Sequence, residues 1–190
     1  MITLFSEKYF LNFHKSLPLL LSLENRIMKS TIYLLNTKIQ ALGARAFFYP
    51  PATENLISDV EERLKISFPA SLRAFYLAFN GGFFADDSWT QDQLTDAAML
   101  ETIQWNSNNI LPLEDVKLGF GSRYPACIPV IHTHTQEFLV FVNPLKDGES
   151  AIYDAFHEFT PDQWGVLYSN FEELLMDYIE KEGMIKTIVV

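Results

Sequence analysis

Two histidines placed two residues apart are the first candidates for metal chemistry in this sequence. His132 and His134 stand in a strand-like stretch, where alternate residues point to the same side and two imidazoles could share a cation. Zinc normally requires three or four protein ligands. Glu137, Asp154 and His157 are ligand types further along the chain, but their spacing does not bring them to the pair. We therefore expect an incidental histidine pair, with no metal and no cofactor.

Cys127 is a candidate nucleophile, because a nearby histidine can activate a thiol. It precedes Ile128-Pro129 in an apolar run, where a buried and unreactive thiol is expected. One cysteine cannot form an intramolecular disulfide, which favours a reducing, cytoplasmic location. We predict no catalytic residue and no enzyme activity.

The segment Asn80-Gly81-Gly82 invites comparison with phosphate-binding loops. Such loops lie between a strand and the start of a helix, where backbone N–H groups point at the anion. Here the glycines follow an apolar helical pattern that runs to Phe79, and the chain contains no Gly-Lys-Ser or Gly-Lys-Thr. We interpret Gly81 as the left-handed residue that ends a helix.

Carboxylates are concentrated in one part of the chain. The net charge is −10, but residues 1–45 carry six bases and two acids, so that residues 46–190 have a net charge of −14. Residues 74–116 contain seven acids and no lysine or arginine. A negative field repels nucleic acid and attracts basic partners, although an acidic surface also serves solubility. The charge pattern predicts a protein partner and no nucleic acid.

The spacing of these carboxylates lacks the pattern and the glycine of an EF-hand, so calcium is not predicted. Trp89 lies among them and is either a core residue or an anchor for a partner, because interface energy concentrates on Trp, Tyr and Arg. The predicted partner-binding residues are Asp86, Asp87, Trp89, Asp92, Asp96 and Glu101.

An N-terminal helix is predicted from apolar residues spaced alternately by four and three. The positions in this series are all apolar except Asn25, and they are Leu21, Asn25, Met28, Ile32, Leu35, Ile39 and Leu42. This narrow seam packs on the rest of the chain or pairs with a second copy as a homodimer. The apolar run at 17–23 is too short to cross a bilayer, and we predict no membrane association. The expected division is a helical extension over residues 1–45 and one domain over 46–190.

The remaining elements predict an α+β fold with an antiparallel or mixed central sheet flanked by helices. Thr53 caps a helix with an apolar stripe, and Pro69 opens the next helix. Strand-like runs occupy residues 126–134, 137–143 and 151–156. The last helix has a predicted capping box from Ser169 to Glu172 and a glycine stop at Gly183. The predicted turn between the second and third strands covers residues 143–150.

The order of these elements resembles the SUKH superfamily, which includes a fungal cell-wall assembly regulator and many bacterial immunity proteins. The main resemblance is residues 52–82, paired helices that end in Asn-Gly-Gly. Residues 128–143 resemble the family's central hairpin, 150–158 its following strand and 170–180 its closing helix. The resemblance covers about residues 50–182, and it departs at His-Thr-His-Thr-Gln-Glu-Phe, where relatives have a Gly/Asp-rich turn.

This resemblance implies a protein-binding module without a catalytic motif. Relatives neutralise protein toxins, often nucleases or deaminases, or serve as scaffolds. We therefore expect an immunity-type protein that docks a basic toxin domain through the acidic residues. The alternative is a regulatory scaffold that recruits partners or self-associates through its N-terminal helix.

Overall fold

A seven-stranded sheet organises the chain in a computed structural model, which describes residues 28–116, 127–142, 151–155, 160 and 162–185. All strand pairs are antiparallel, and the spatial order of the strands is their order along the chain. The strands are β1 (Ala46–Phe48), β2 (Gly82–Phe84), β3 (Asn109–Ile110), β4 (Cys127–His132), β5 (Phe138–Val142), β6 (Ile152–Asp154) and β7 (Val166–Tyr168).

Helices precede, interrupt and follow this sheet. The first, α1, covers residues 28–42 of the described part and passes into a 3-10 turn at Gly43–Arg45. The others are α2 (Glu54–Leu64), α3 (Ala70–Tyr76), α4 (Gln91–Thr95), α5 (Leu100–Trp105) and α6 (Phe171–Glu180). The predicted α+β class is confirmed, with a sheet that is antiparallel throughout. The turn expected over residues 143–150 lies outside the described residues.

The main core lies between one face of the sheet and α1, α2, α3 and α6. Successive strand residues point to opposite faces. Phe84 belongs to this core, whereas its neighbour Phe83 belongs to a smaller cluster with Leu94 of α4 and Ile103 of α5. Helices α4 and α5 therefore cover the opposite face of the sheet, at the end formed by β1 and β2.

The apolar seam predicted for α1 is the face that packs on the domain. Met28 and Leu35 are fully buried in the main core, and Ile32, Ile39 and Leu42 pack against it while partly exposed. Leu21 and Asn25, the first two seam positions, lie outside the described residues. This packing uses the seam within one copy of the chain, although the boundary predicted at residue 45 stays a prediction.

The Asn-Gly-Gly segment forms a corner between α3 and β2. Helix α3 ends at Tyr76, earlier than predicted, and a turn at residues 77–78 follows it. Gly81 has a φ of +87°, and a Cβ placed there would lie 2.6 Å from the Ile110 carbonyl oxygen. At Gly82 a Cβ would overlap the Phe47 carbonyl oxygen. These glycines therefore permit close backbone approach in the sheet, rather than ending the helix directly.

The caps of two helices test the local sequence rules. The Thr53 hydroxyl accepts the Leu56 N–H at 3.2 Å, as predicted for α2. The capping box predicted from Ser169 to Glu172 is wrong by one residue, because Asn170 is the N-cap of α6 and accepts the Glu173 N–H at 2.8 Å. Asparagine and serine are equally good caps, so the sequence pattern left two starts open.

Candidate protein-binding surface

The acidic segment, residues 86–101, connects β2 to α5 and carries all six predicted partner-binding residues. Thr90 and Gln93 form a capping box that starts α4, with the Thr90 N–H donating to Gln93 Oε1 at 2.9 Å. Leu94 and Ile103 are buried against the sheet. Two short helices are thus fixed by their apolar sides, and their polar sides face solvent.

All five predicted carboxylates are exposed. Asp86 and Asp96 also stabilise the local backbone, because they accept the N–H groups of Ser88 at 2.8 Å and Ala98 at 2.9 Å. Hydrogen bonds from Ser88 hold the pKa of Asp86 below its ordinary value. The remaining three are Asp87, Asp92 and Glu101, and they too are exposed.

Lys38 and Arg45 form their ion pairs outside the acidic segment. Lys38 Nζ and Arg45 Nη2 each lie 3.2 Å from an oxygen of Glu182, just after α6. Within the described ranges, none of the five carboxylates forms an ion pair with a lysine or arginine. Helix α1 therefore does not neutralise the acidic segment through direct contacts.

Three of the six predicted residues meet at a groove, which we call the polar groove. It has a volume of about 540 Å³. Its lining residues include Arg45, Asp86, Asp87, Trp89, His134 and Glu182. Asp92, Asp96 and Glu101 do not line it. Trp89 is half-buried and packs partly on the small cluster under α4, so it is both a core residue and a surface residue.

The opposite wall of the polar groove is organised by Asn108, which is not among the predicted site residues. Its buried side chain donates to the Gly183 carbonyl at 2.8 Å, and its Oδ1 accepts the His134 N–H at 3.0 Å. The Asn108 carbonyl also accepts the Tyr178 hydroxyl at 2.7 Å. These bonds connect distant segments, so no local sequence signal indicated them.

Arg45 gives the groove both signs of charge, since it stands beside Asp86 and contributes to that carboxyl's lowered pKa. This placement was also missed, because Arg45 precedes β1 and the acidic residues follow β2. The antiparallel pairing of Ala46 with Phe84 brings these chain segments together.

The two histidines do not form a shared site. Strand β4 ends at His132, and His134 lies in the turn that follows it. The His132 ring contacts Trp105 and Phe138, with ring centroids 4.8 and 5.0 Å away, and burial lowers its pKa. In the part of the chain that the structure describes, no three His, Cys, Asp or Glu side chains are grouped to hold a metal ion. His157 is outside that part.

Cys127 and the tryptophans other than Trp89 differ in exposure. Cys127 is buried, and burial raises the pKa of its thiol, as expected of an unreactive cysteine. Trp164 is buried, whereas Trp105 is 48% exposed and presents more surface than Trp89. Trp105 is not among the predicted binding residues, although its exposure suits an anchor for a partner.

No described helix is both long and apolar enough to cross a bilayer.

Comparison with known proteins identifies the family. No curated protein matches the chain. The model of the SMI1 / KNR4 family (SUKH-1) matches residues 51–177, which include α2 to β7 and most of α6. Since this match covers well over half of the chain, the protein belongs to the SMI1/KNR4 (SUKH-1) family.

Proposed function

We propose that this protein is a non-enzymatic binding module of the immunity type, which neutralises a basic protein toxin by docking it on the acidic segment. The single observation that carries the proposal is the set of five exposed carboxylates on a segment anchored by buried Leu94 and Ile103, with no ion pair to a described lysine or arginine. Membership of the SUKH-1 family supports a role in protein–protein interaction. A cytoplasmic location remains a prediction.

Electrostatic attraction acts mainly on the encounter. Surface charges of one sign raise the association rate of an oppositely charged protein, and salt screens them over about 10 Å at 0.1 M. Trp89, on the rim of the polar groove, then supplies an amphipathic contact area. The docked complex would block the partner's active surface without any chemistry by this chain.

The test uses the product of the adjacent gene as the partner. Replacing Asp86, Asp87, Asp92 and Asp96 by asparagine retains the turn-forming acceptor oxygens and removes four charges. We expect the association rate at low salt to fall about tenfold or more, with a smaller difference at high salt. Stopped-flow or surface plasmon resonance measurements give both rates.

A matched control removes four exposed carboxylates elsewhere. These are Asp59, Glu62, Asp162 and Glu180, changed to their amides. An equal fall in the association rate of this control would mean that net charge, rather than the acidic segment, governs association. An adjacent product that does not bind, or binds the first variant at an unchanged rate, contradicts the proposal.

The alternative is a scaffold that self-associates through α1. Its apolar seam is already used within the chain, but Tyr33 and Leu34 are exposed on α1, 71% and 44% respectively. Sedimentation of the full chain and of a Tyr33→Glu variant separates the two functions. A dimer that this charge disrupts would favour the scaffold.

A further inference from the structure

A second groove lies beside the chain that leaves β1, and we call it the proline groove. It has a volume of about 490 Å³. Its lining residues include Tyr49, Pro50, Pro51, Leu56, Pro112 and Glu114. All the lining residues are apolar or uncharged except Glu114. Neither the acidic segment nor the polar groove shares a lining residue with it.

The Asn80 corner holds the two walls of this groove together. Asn80 Oδ1 accepts the Leu113 N–H at 3.0 Å, and its Nδ2 donates to Glu114 Oε2 at 3.0 Å. On the other wall, the Asn80 N–H donates to the Tyr49 and Pro50 carbonyls, at 3.3 Å each. A groove fixed on both sides before binding loses less conformational entropy when a ligand enters.

The chemistry of this wall does not suit an added β-strand, which needs free backbone donors. Pro50, Pro51 and Pro112 have no N–H. The Tyr49 N–H donates to the Gly81 carbonyl at 3.2 Å, and the Ala52 N–H donates to the Tyr76 carbonyl at 2.9 Å. None of these five positions therefore has a free backbone N–H to donate to an added strand.

Side-chain packing is the interaction that remains. Polyproline II segments bind to aromatic-lined apolar grooves through their proline rings, and they are already extended before binding. Tyr49 is 38% exposed in the groove, and Leu56 and Pro112 supply further apolar surface. The composition of the groove thus fits a rigid, proline-rich ligand.

The charge at the rim favours a basic residue on that ligand. Glu114 and Asp115 are both exposed, and residues 74–116 contain no lysine or arginine. Burial, and then the negative charges of Asp115 and Glu114, raises the pKa of Tyr49. Arg63 donates to the Val116 carbonyl at 3.4 Å but is not among the lining residues. Arginine suits a carboxylate because its planar fork binds both oxygens.

We propose that the proline groove binds an extended polyproline II segment that carries an arginine. The proline rings pack on Tyr49 and Pro112, and the guanidinium binds the Glu114 carboxylate. The site differs from the surface of the proposed function, so either proposal can fail while the other stands.

The test is a two-dimensional NMR titration of the isotope-labelled full chain. The probes are a proline-rich peptide of about nine residues with one arginine, and the same peptide with glutamate in place of arginine. We expect saturable shifts at Thr53, Leu56 and the Asn80 side-chain amide with the arginine peptide, and at least about fivefold weaker binding of the glutamate peptide. Tyr49→Ala should weaken binding about fivefold or more.

Glu114→Gln is a second variant, which retains an acceptor for Asn80. It should lower the affinity for the arginine peptide about two- to fivefold. Glu180→Gln is its control, because it removes one exposed charge from α6, outside both grooves, and should leave the affinity unchanged. Absence of saturable shifts at the groove, or equal binding of the two peptides, would overturn the proposal. Chemical shifts at these residues could instead change with protein concentration in the absence of peptide. That result would assign the groove to a second copy of the chain and would also overturn the proposal.

Discussion

His132 shows how a residue chosen for its chemistry can have a role in packing. Its ring lies between Trp105 and Phe138, and it is half-buried. Burial disfavours the charged imidazolium, so the pKa of His132 is lowered in the folded chain. The unfolded chain, with an ordinary value of about 6.5, takes up the proton first as the pH falls.

This difference predicts that the free energy of unfolding decreases as the pH falls from about 6.5 to the lowered pKa that His132 has in the folded chain. His132→Phe keeps an aromatic ring between Trp105 and Phe138 but does not titrate. We expect the urea midpoint of this variant to change less between about pH 7.5 and about pH 5 than that of the wild type.

His134→Gln is the control, because His134 is exposed and binds Asn108 instead of the aromatic rings. If it removes as much of the pH dependence as His132→Phe does, the assignment to His132 is wrong. Both variants retain every carboxylate, so the background from acids is the same in each comparison.

At the scale of elements, Gly82 determines how closely β1 and β2 approach. Phe48 pairs with Gly82, whose φ of +145° is one that other residues rarely adopt. A Cβ at this position would also overlap the Phe47 carbonyl. We expect Gly82→Ala to lower the free energy of unfolding by about 3 kcal/mol or more, measured by urea denaturation.

Gly43→Ala is the matched control for this substitution. Gly43 also has a positive φ, +55°, but a Cβ there would meet no atom within 4 Å. We expect a loss of about 1 kcal/mol from backbone strain alone. Equal losses in the two variants would show that strain, rather than contact between strands, makes Gly82 necessary.

Element types could be predicted from local patterns, whereas element ends could not. The period of apolar residues identified α1, α2, α3 and α6, and short apolar runs bounded by turns identified β4 and β5. Helix α3 nevertheless ends at Tyr76, because the close passage of Gly81 and Gly82 between neighbouring strands fixes the path of the chain. Such contacts depend on residues far along the sequence, and no local pattern contains them.

At the scale of the whole molecule, α1 contributes to the main core. Leu35 is fully buried there, whereas its neighbour Leu34 points outward and is 44% exposed. We expect Leu35→Ala to lower the free energy of unfolding by about 2–4 kcal/mol, because it removes buried apolar surface and leaves a cavity. Urea denaturation of the full chain measures this loss.

Leu34→Ala makes the same chemical change on the exposed side of the same helix. It should alter stability by no more than about 0.5 kcal/mol. A small effect of both substitutions would mean that α1 is a separable extension whose contacts contribute little to the fold.

The candidate site was harder to predict than the fold, since it depends on segments that meet only after folding. Composition indicated the negative charge of residues 86–101, and their exposure agrees with it. The charge of Arg45 and the bonds of Asn108 come from other elements. The Tyr49-Pro50-Pro51 stretch gave no sign of a binding site in the sequence, because its groove is completed by Pro112 and Glu114.

The strictly sequential order of the strands bears on how the chain is made. Because each strand pairs with the one synthesised just before it, pairing can advance as the nascent polypeptide leaves the ribosome. Helix α6 is synthesised after the seven described strands, and its Tyr178 hydroxyl donates to the Asn108 carbonyl. Translation therefore supplies α6 only after all seven strands that form the described sheet have been made.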